Sequence, residues 1–237
     1  MKSILVSLLF FFWGCSSLSQ YSQSQTFLPI SDPVIEHLAY WVGYDGSRRQ
    51  PRWVYEGLDK THLEKKVSRK GISFLPDPLL PEILSATDAD YRGSGFDRGH
   101  LSPAANALYD LRALRETFYF SNVSPQERSF NRGIWKKLEE RVRSVVLQYD
   151  FIHVYTGPLY LPHREADNRN YVTYQVIGSR HVAVPTHYFK VFFTKEGKLI
   201  EAYILPNKTI AKPTSLEQFL TSLDKVEQLA GILFPFK

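Results

Sequence analysis

Between residues 131 and 149, the apolar residues Ile134, Trp135, Leu138, Val142, Val145, Val146 and Tyr149 recur at helical spacing and fall on one stripe. Lys136, Lys137, Glu140, Arg141 and Arg143 fall mostly opposite. A stripe of this kind has to be buried against another element, and most of the remaining chain offers strands. Residues 37–44 and 52–56 are β-prone, and Asp45-Gly46-Ser47 with a basic loop to Pro51 lies between them, which predicts a hairpin. Further strands are predicted over 151–155 (ending at Thr156-Gly157-Pro158), 171–177, 182–194 (interrupted or at an edge at Pro185) and 199–205. Residues 110–118 have helical character. Ser215-Leu216-Glu217-Gln218 reads as the capping-box start of a C-terminal helix that Gly231 stops. Pro76, Pro78 and Pro81 forbid regular structure through their span. One central helix among many strands predicts an α+β fold.

The start of the chain has a different character. Residues 1–3 are short and basic, and 4–13 form an apolar run too short to cross a bilayer comfortably but suited to the hydrophobic region of a signal peptide. Gly14-Cys15 follows, and Cys15 is the chain's only cysteine. Residues 1–15 therefore read as a signal peptide of lipoprotein type with lipidation at Cys15; cleavage after Ser16 or Ser17 and an uncleaved anchor are the alternatives. Export follows, to a bacterial cell envelope as a lipoprotein or into the medium, in preference to a mitochondrial location. Membrane contact would come only through the N-terminal lipid or an uncleaved signal. Residues 16–31, rich in Ser and Gln, read as a flexible tether, and the folded domain is expected over 32–237. With one cysteine the chain forms no internal disulfide, so its stability must come from its core. A formal charge of +5 suits a polyanionic partner without demanding one.

The chemistry concentrates in residues 96–106, FDRGHLSPAAN. His100 titrates near neutral pH without special tuning, Arg98 offers a planar fork of donors suited to phosphate, and Asp97 can orient or offset a cation. Gly99 suggests a turn that a side chain would block. Cutting a phosphodiester needs an activated water, neutralisation of the phosphate and help for the leaving oxygen, and His100 is the candidate general base. A hard divalent ion with few protein ligands would suit the rest. Asn131 offers an amide oxygen at the first turn of the long helix, and Glu139, eight residues on, points to nearly the same side. The plainer readings are an N-cap for Asn131 and a surface salt bridge with Lys136 or Arg143 for Glu139. Lys65, Lys66, Arg69 and Lys70 read as either a solvated face or a phosphate-facing one.

Taken together, D-R-G-H, the N-x-x-P-Q of Asn122 to Gln126 and the Asn131-x3-Trp135-x3-Glu139 spacing resemble the non-specific DNA/RNA endonuclease family, whose site is a ββα-metal element. Within it the likeness is greatest to endonuclease G and its exonuclease-like relatives. The segments YRGSGF (91–96), TFYFSN (117–122), YQVIG (174–178) and VAVPTH (182–187) carry it. The resemblance implies a central, mostly antiparallel sheet flanked by helices. It implies a Mg²⁺-dependent endonuclease acting on DNA and RNA with 5′-phosphate products, Mn²⁺ being a substitute. His100 would be the general base, Asn131 the metal ligand, and Glu139 the acid supporting the metal and its waters. Arg98 belongs to the signature, and Arg69, Asp97, Asn122 and Gln126 would meet substrate. A homodimer is also implied. The competing readings are a non-catalytic envelope protein that binds nucleic acid on the same fold, and an exonuclease that needs strand ends.

Overall fold

The computed structural model describes residues 33–236. Its main strands are β1 (Val34–Glu36), β2 (Trp41–Asp45), β3 (Gln50–Leu58), β4 (Phe96–His100), β5 (Val123–Glu127), β6 (Ile152–Leu159), β7 (His187–Thr194) and β8 (Leu199–Pro206). The helices that matter to the site and the core are α1 (Leu111–Glu116), α2 (Lys136–Val146) and α3 (Leu223–Ala230). Six strands form one antiparallel sheet in the order β1-β2-β3-β6-β7-β8, and β4 pairs with β5 as a separate hairpin. The α+β expectation and the hairpin of β2 with β3 are both met.

Strand β7 shows why the sheet is covered on both sides. Its residues are buried along nearly the whole length, and they alternate between two cores. Tyr188 and Phe192 join a large cluster with Trp135, Leu138, Val142, Val145 and Val146, the apolar stripe of the long helix. Phe189, Val191 and Phe193 join a smaller one with Val226 of α3 and Phe234. Trp135 is fully buried between Phe130 and Tyr188, so it is core.

Several boundaries differ from expectation. Strand β6 continues through Gly157 and Pro158 to Leu159, paired with β7 along that length, and at Gly157 an added Cβ would be 2.5 Å from the Phe189 ring. Residues 171–177 are not one strand: Asn170–Tyr171 pairs with His163–Arg164, and Val176–Ile177 with Val182–Ala183. Ser215 caps only the short 3₁₀ turn Leu216–Phe219, while α3 starts at the Ser222 cap and closes at Gly231 with φ 63°. The long helix ends at Val146, leaving Tyr149 partly exposed.

Candidate active site

The site is built on the β4–β5 hairpin and the helix that follows it without a loop. In the hairpin Asp97 faces Gln126 and His100 faces Val123. Gly99 lies in a strand, not in a turn; the Gln126 side chain occupies the place of its missing Cβ, which would come within 2.2 Å. At the end of β5 the Glu127 carboxylate accepts from the Phe130 amide at 2.7 Å and caps the helix. Asn131 is therefore inside the helix and not its cap. The run is α-helical over Arg128–Phe130, π-helical over Asn131–Trp135 and α-helical again through α2.

The wide turn changes which residues face together. In a straight α-helix, eight residues at about 100° each would leave Asn131 and Glu139 about 80° out of phase. The Asn131–Trp135 turn is not regular helix, however: Gly133 at its centre has φ −107° and ψ −105°, so two helical pieces meet there across a kink, and the kink re-aims the second piece relative to Asn131. Both line one cleft of about 650 Å³, together with Arg69, Phe74, Asp97, Arg98, His100, Arg132, Lys136 and Arg143. Five cations thus face two carboxylates.

His100 is held by aromatic rings, Phe74 at 5.2 Å and Phe118 edge-on at 4.9 Å between centroids. Its Nε2 is buried and has no hydrogen-bond partner. Burial, and then the charge of Arg69, push its pKa down to about 3, so the resting ring is neutral. Arg98 is fastened to Asp88 at 2.5 Å, and its guanidinium lies over Phe74 and Tyr91. Arg69 lies over Phe118.

Asp97 collects three partners. It accepts from Asn131 Nδ2 at 3.0 Å, pairs with Arg132 through both carboxylate oxygens at 2.8 and 3.0 Å, and lies 3.4 Å from Arg128. Partial burial alone would raise its pKa, but the hydrogen bonds from Arg132 and Asn131 and the two arginine charges outweigh it and hold the carboxyl below its ordinary value. Asp97 therefore orients other site residues, and its charge is already engaged.

Beneath the cleft lies a buried polar layer. Glu56 and Lys190 are each 1 % exposed. Glu56 accepts from Asn106 Nδ2 at 2.9 Å, Arg143 donates to Asn106 Oδ1 at 3.4 Å, and the Lys190 ammonium lies 5.1 Å from the Trp135 ring centroid. Burial pushes the Glu56 carboxyl up and the Lys190 ammonium down, each opposed by the other's charge. Glu139 sits over this layer, and burial pushes its pKa up to about 7 against the attraction of Lys190 and Arg143.

The structure brings His100, Arg98, Asp97, Arg69, Asn131 and Glu139 into one cleft, and does not bring Asn122 or Gln126 to its walls. Both are fully buried. The Asn122 amide is spent bracing the chain, accepting from the Ser102 amide and donating to the carbonyls of Ser102 and Thr117. The Gln126 amide packs over Gly99 with neither polar atom bonded. They shape the hairpin from behind, outside the lining of the cleft. Lys66 is paired with Glu64, and Lys70 lines a separate recess. The sequence reading missed Phe74, Arg132, Lys136 and Arg143. The last two lie on the helix face opposite the apolar stripe, and that face looks into the cleft.

Residues 19–236 match the family model for DNA/RNA non-specific endonuclease. The chain belongs to this family. It is 44% identical over 199 residues to human mitochondrial endonuclease G, covering 83% of this chain and 67% of that protein. It is 38% identical over 199 residues to human mitochondrial nuclease EXOG, covering 81% and 54%. Nuclease C1 of Cunninghamella echinulata var. echinulata is 39% identical over 222 residues, with 89% and 88% covered. The fold is that of a crystal structure of an EndoG/EndoGI complex, at TM-score 0.82 and 40% identity over 87% of each chain. The chain is thus a nuclease with the ββα-metal architecture.

These relatives correct the expected compartment. Endonuclease G of Homo sapiens, Bos taurus and Caenorhabditis elegans and human EXOG are all mitochondrial, which overturns export to a bacterial envelope or the medium. That expectation rested on the basic start, the apolar run and the Gly14-Cys15 that follows it, and none of these distinguishes one compartment from another. The signal peptide, the tether and Cys15 lie outside the described residues.

The donor set fits a hard, hydrated cation. Asn131 Nδ2 is committed to Asp97, which leaves Oδ1 as the amide atom available to a ligand. Glu139 adds carboxylate oxygen in the same cleft. Among the described residues no group of three or more His, Cys, Asp or Glu forms a closed cage. Few oxygen donors, with water completing the shell, is the way Mg²⁺ is commonly held.

Proposed function

We propose that the chain hydrolyses internal phosphodiester bonds of DNA and RNA with little sequence preference, using Mg²⁺ and leaving 5′-phosphate ends, and that residues 32–237 form the nuclease domain. The observation that carries the reading is the unpartnered Nε2 of a neutral His100 in the cleft that also holds Asn131 and Glu139. A neutral imidazole with a free nitrogen can accept a proton from the attacking water. A bound phosphate brings negative charge beside that ring and favours its protonated form, opposing the effect of Arg69. Arg98 and Arg69, each held against an aromatic ring, meet the non-bridging oxygens of the scissile phosphate.

Asn131 and Glu139 would hold the metal and its waters, and Asp97 keeps the Asn131 amide turned so that its oxygen faces the ion. When bound, the ion supplies Lewis-acid stabilisation of the phosphate and the leaving 3′ oxygen. Phosphate-led binding predicts steep loss of activity with salt and tolerance of sequence. The mitochondrial names of its relatives support that compartment for this chain.

The test is cleavage of closed-circular plasmid and of a structured RNA by the full chain, with Mg²⁺ and with EDTA, beside His100→Ala. Metal-dependent cleavage of both that falls by about 100-fold or more in the variant is the expected result. Closed circles left intact while linear DNA is degraded would replace the endonuclease with an end-dependent enzyme.

A further inference from the structure

The catalytic cleft continues past Arg132. That side chain lines both the cleft and a second recess of about 550 Å³, whose other walls include Gly133, Ile134, Lys137, Ile210, Ala211 and Lys212. One wall is the wide helical turn and the start of α2; the other is the segment after β8. The two are bolted together. Asn207 Oδ1 accepts from the Glu127 amide at 2.8 Å, its Nδ2 donates to the carbonyls of Pro125 and Pro185, and the Ser129 and Thr209 hydroxyls are hydrogen-bonded at 3.0 Å. The recess is therefore preformed.

Its chemistry is mixed in a particular way. Lys137 and Lys212 are exposed, and no carboxylate lines the recess. Ile134, Ile210 and Ala211 line the same recess. A site for a small free anion would have no use for that apolar wall, whereas a nucleotide presents a phosphate edge and an apolar sugar and base face together.

We propose that this recess is a flanking subsite of the nuclease, occupied by nucleotides of the strand being cut that adjoin the scissile phosphate. Lys137 and Lys212 meet backbone phosphates there, the isoleucines and Ala211 meet sugar and base, and Arg132 joins the subsite to the catalytic cleft. The proposal rests on the nuclease reading above and extends it: the enzyme grips its substrate on the Arg132 side over more than the nucleotides at the cut.

The experiment compares the full chain with the double variant Lys137→Ala/Lys212→Ala, in Mg²⁺, on a dinucleotide phosphodiester too short to reach the recess and on a 20-nucleotide single strand. Both lysines lie outside the catalytic cleft. For the 20-mer, KM is expected to rise about tenfold or more with kcat little changed, and the slope of log KM against log salt to fall by about 1.4, the loss of two single-strand phosphate contacts. Dinucleotide kinetics should stay as in the parent, and Lys137→Arg/Lys212→Arg should restore the 20-mer KM. An unchanged KM and salt slope on the 20-mer would overturn the subsite, as would an equal loss on both substrates. An effect seen on duplex but not on single strands would also overturn it, since the occupant would then be the complementary strand. A parent protein that cuts neither substrate overturns the nuclease reading and the subsite with it.

Discussion

At the scale of single residues, Glu139 is held where its charge costs stability. Its folded pKa of about 7 lies above the ordinary carboxylate value of 4.5, because burial disfavours the charge. The folded protein therefore binds more protons than the unfolded chain between about pH 4.5 and 7. This contribution to stability is complete below pH 4.5 and is lost as pH rises through 7. Glu139→Gln removes the penalty of the buried charge. In chelator at pH 8 the variant should melt several degrees above the parent, the gap should close at pH 4.5, and cleavage should be lost. Thermal melts at the two pH values decide it, and a gap independent of pH would show that Glu139 is not buried as a charge.

Asp97 acts through another residue. Asp97→Asn keeps the shape but weakens the hold on Asn131 and releases Arg132. Affinity for Mg²⁺ should fall 10- to 100-fold, the usual loss when a partner of a metal ligand is removed. The Mg²⁺ dependence of the cleavage rate reads this out, and higher Mg²⁺ should recover much of the activity.

At the scale of elements, the kink at Gly133 decides how α2 is aimed at the hairpin. Deleting Gly133 should remove the kink and turn α2, with Glu139, away from Asn131. The deletion is expected to keep helix content, read by far-UV circular dichroism, while cleavage falls by about 100-fold or more. Cleavage within about tenfold of the parent would show that the kink does not aim the helix. The hairpin makes its own demand. Gln126 fills the space above Gly99, so the glycine of D-R-G-H belongs to strand packing and not to a turn.

At the scale of the molecule, the buried layer under the cleft ties the site to the sheet. Lys190 comes from β7, Glu56 from β3, and Glu139 and Arg143 from α2, so the catalytic helix rests on charges supplied by central strands. Lys190→Met removes the cation whose charge opposes the burial of Glu56 and is expected to lower the midpoint of urea denaturation. Adding Glu56→Gln should recover most of that loss. If the double variant is no better than the single, the two groups do not act as a pair.

The amino-acid sequence determined the α+β class, the β2–β3 hairpin, the buried stripe of α2 and the membership of His100, Arg98, Asp97, Asn131 and Glu139 in one site. Those features are carried by periodicity and by short motifs whose residues lie close together in the chain. Tertiary structure alone decided the rest. Asn122 and Gln126 share the motif but are turned into the interior: Asn122 ends a 3₁₀ turn that its own amide braces, and β5 is covered on both faces, which a motif read as letters does not say. Lys136 and Arg143 look solvated on a helical wheel; they become site residues only because the hairpin closes the cleft over that face of the helix. Lys190, an ordinary lysine in a β-prone run, became a buried cation because its neighbours on both sides of the strand went into two different cores.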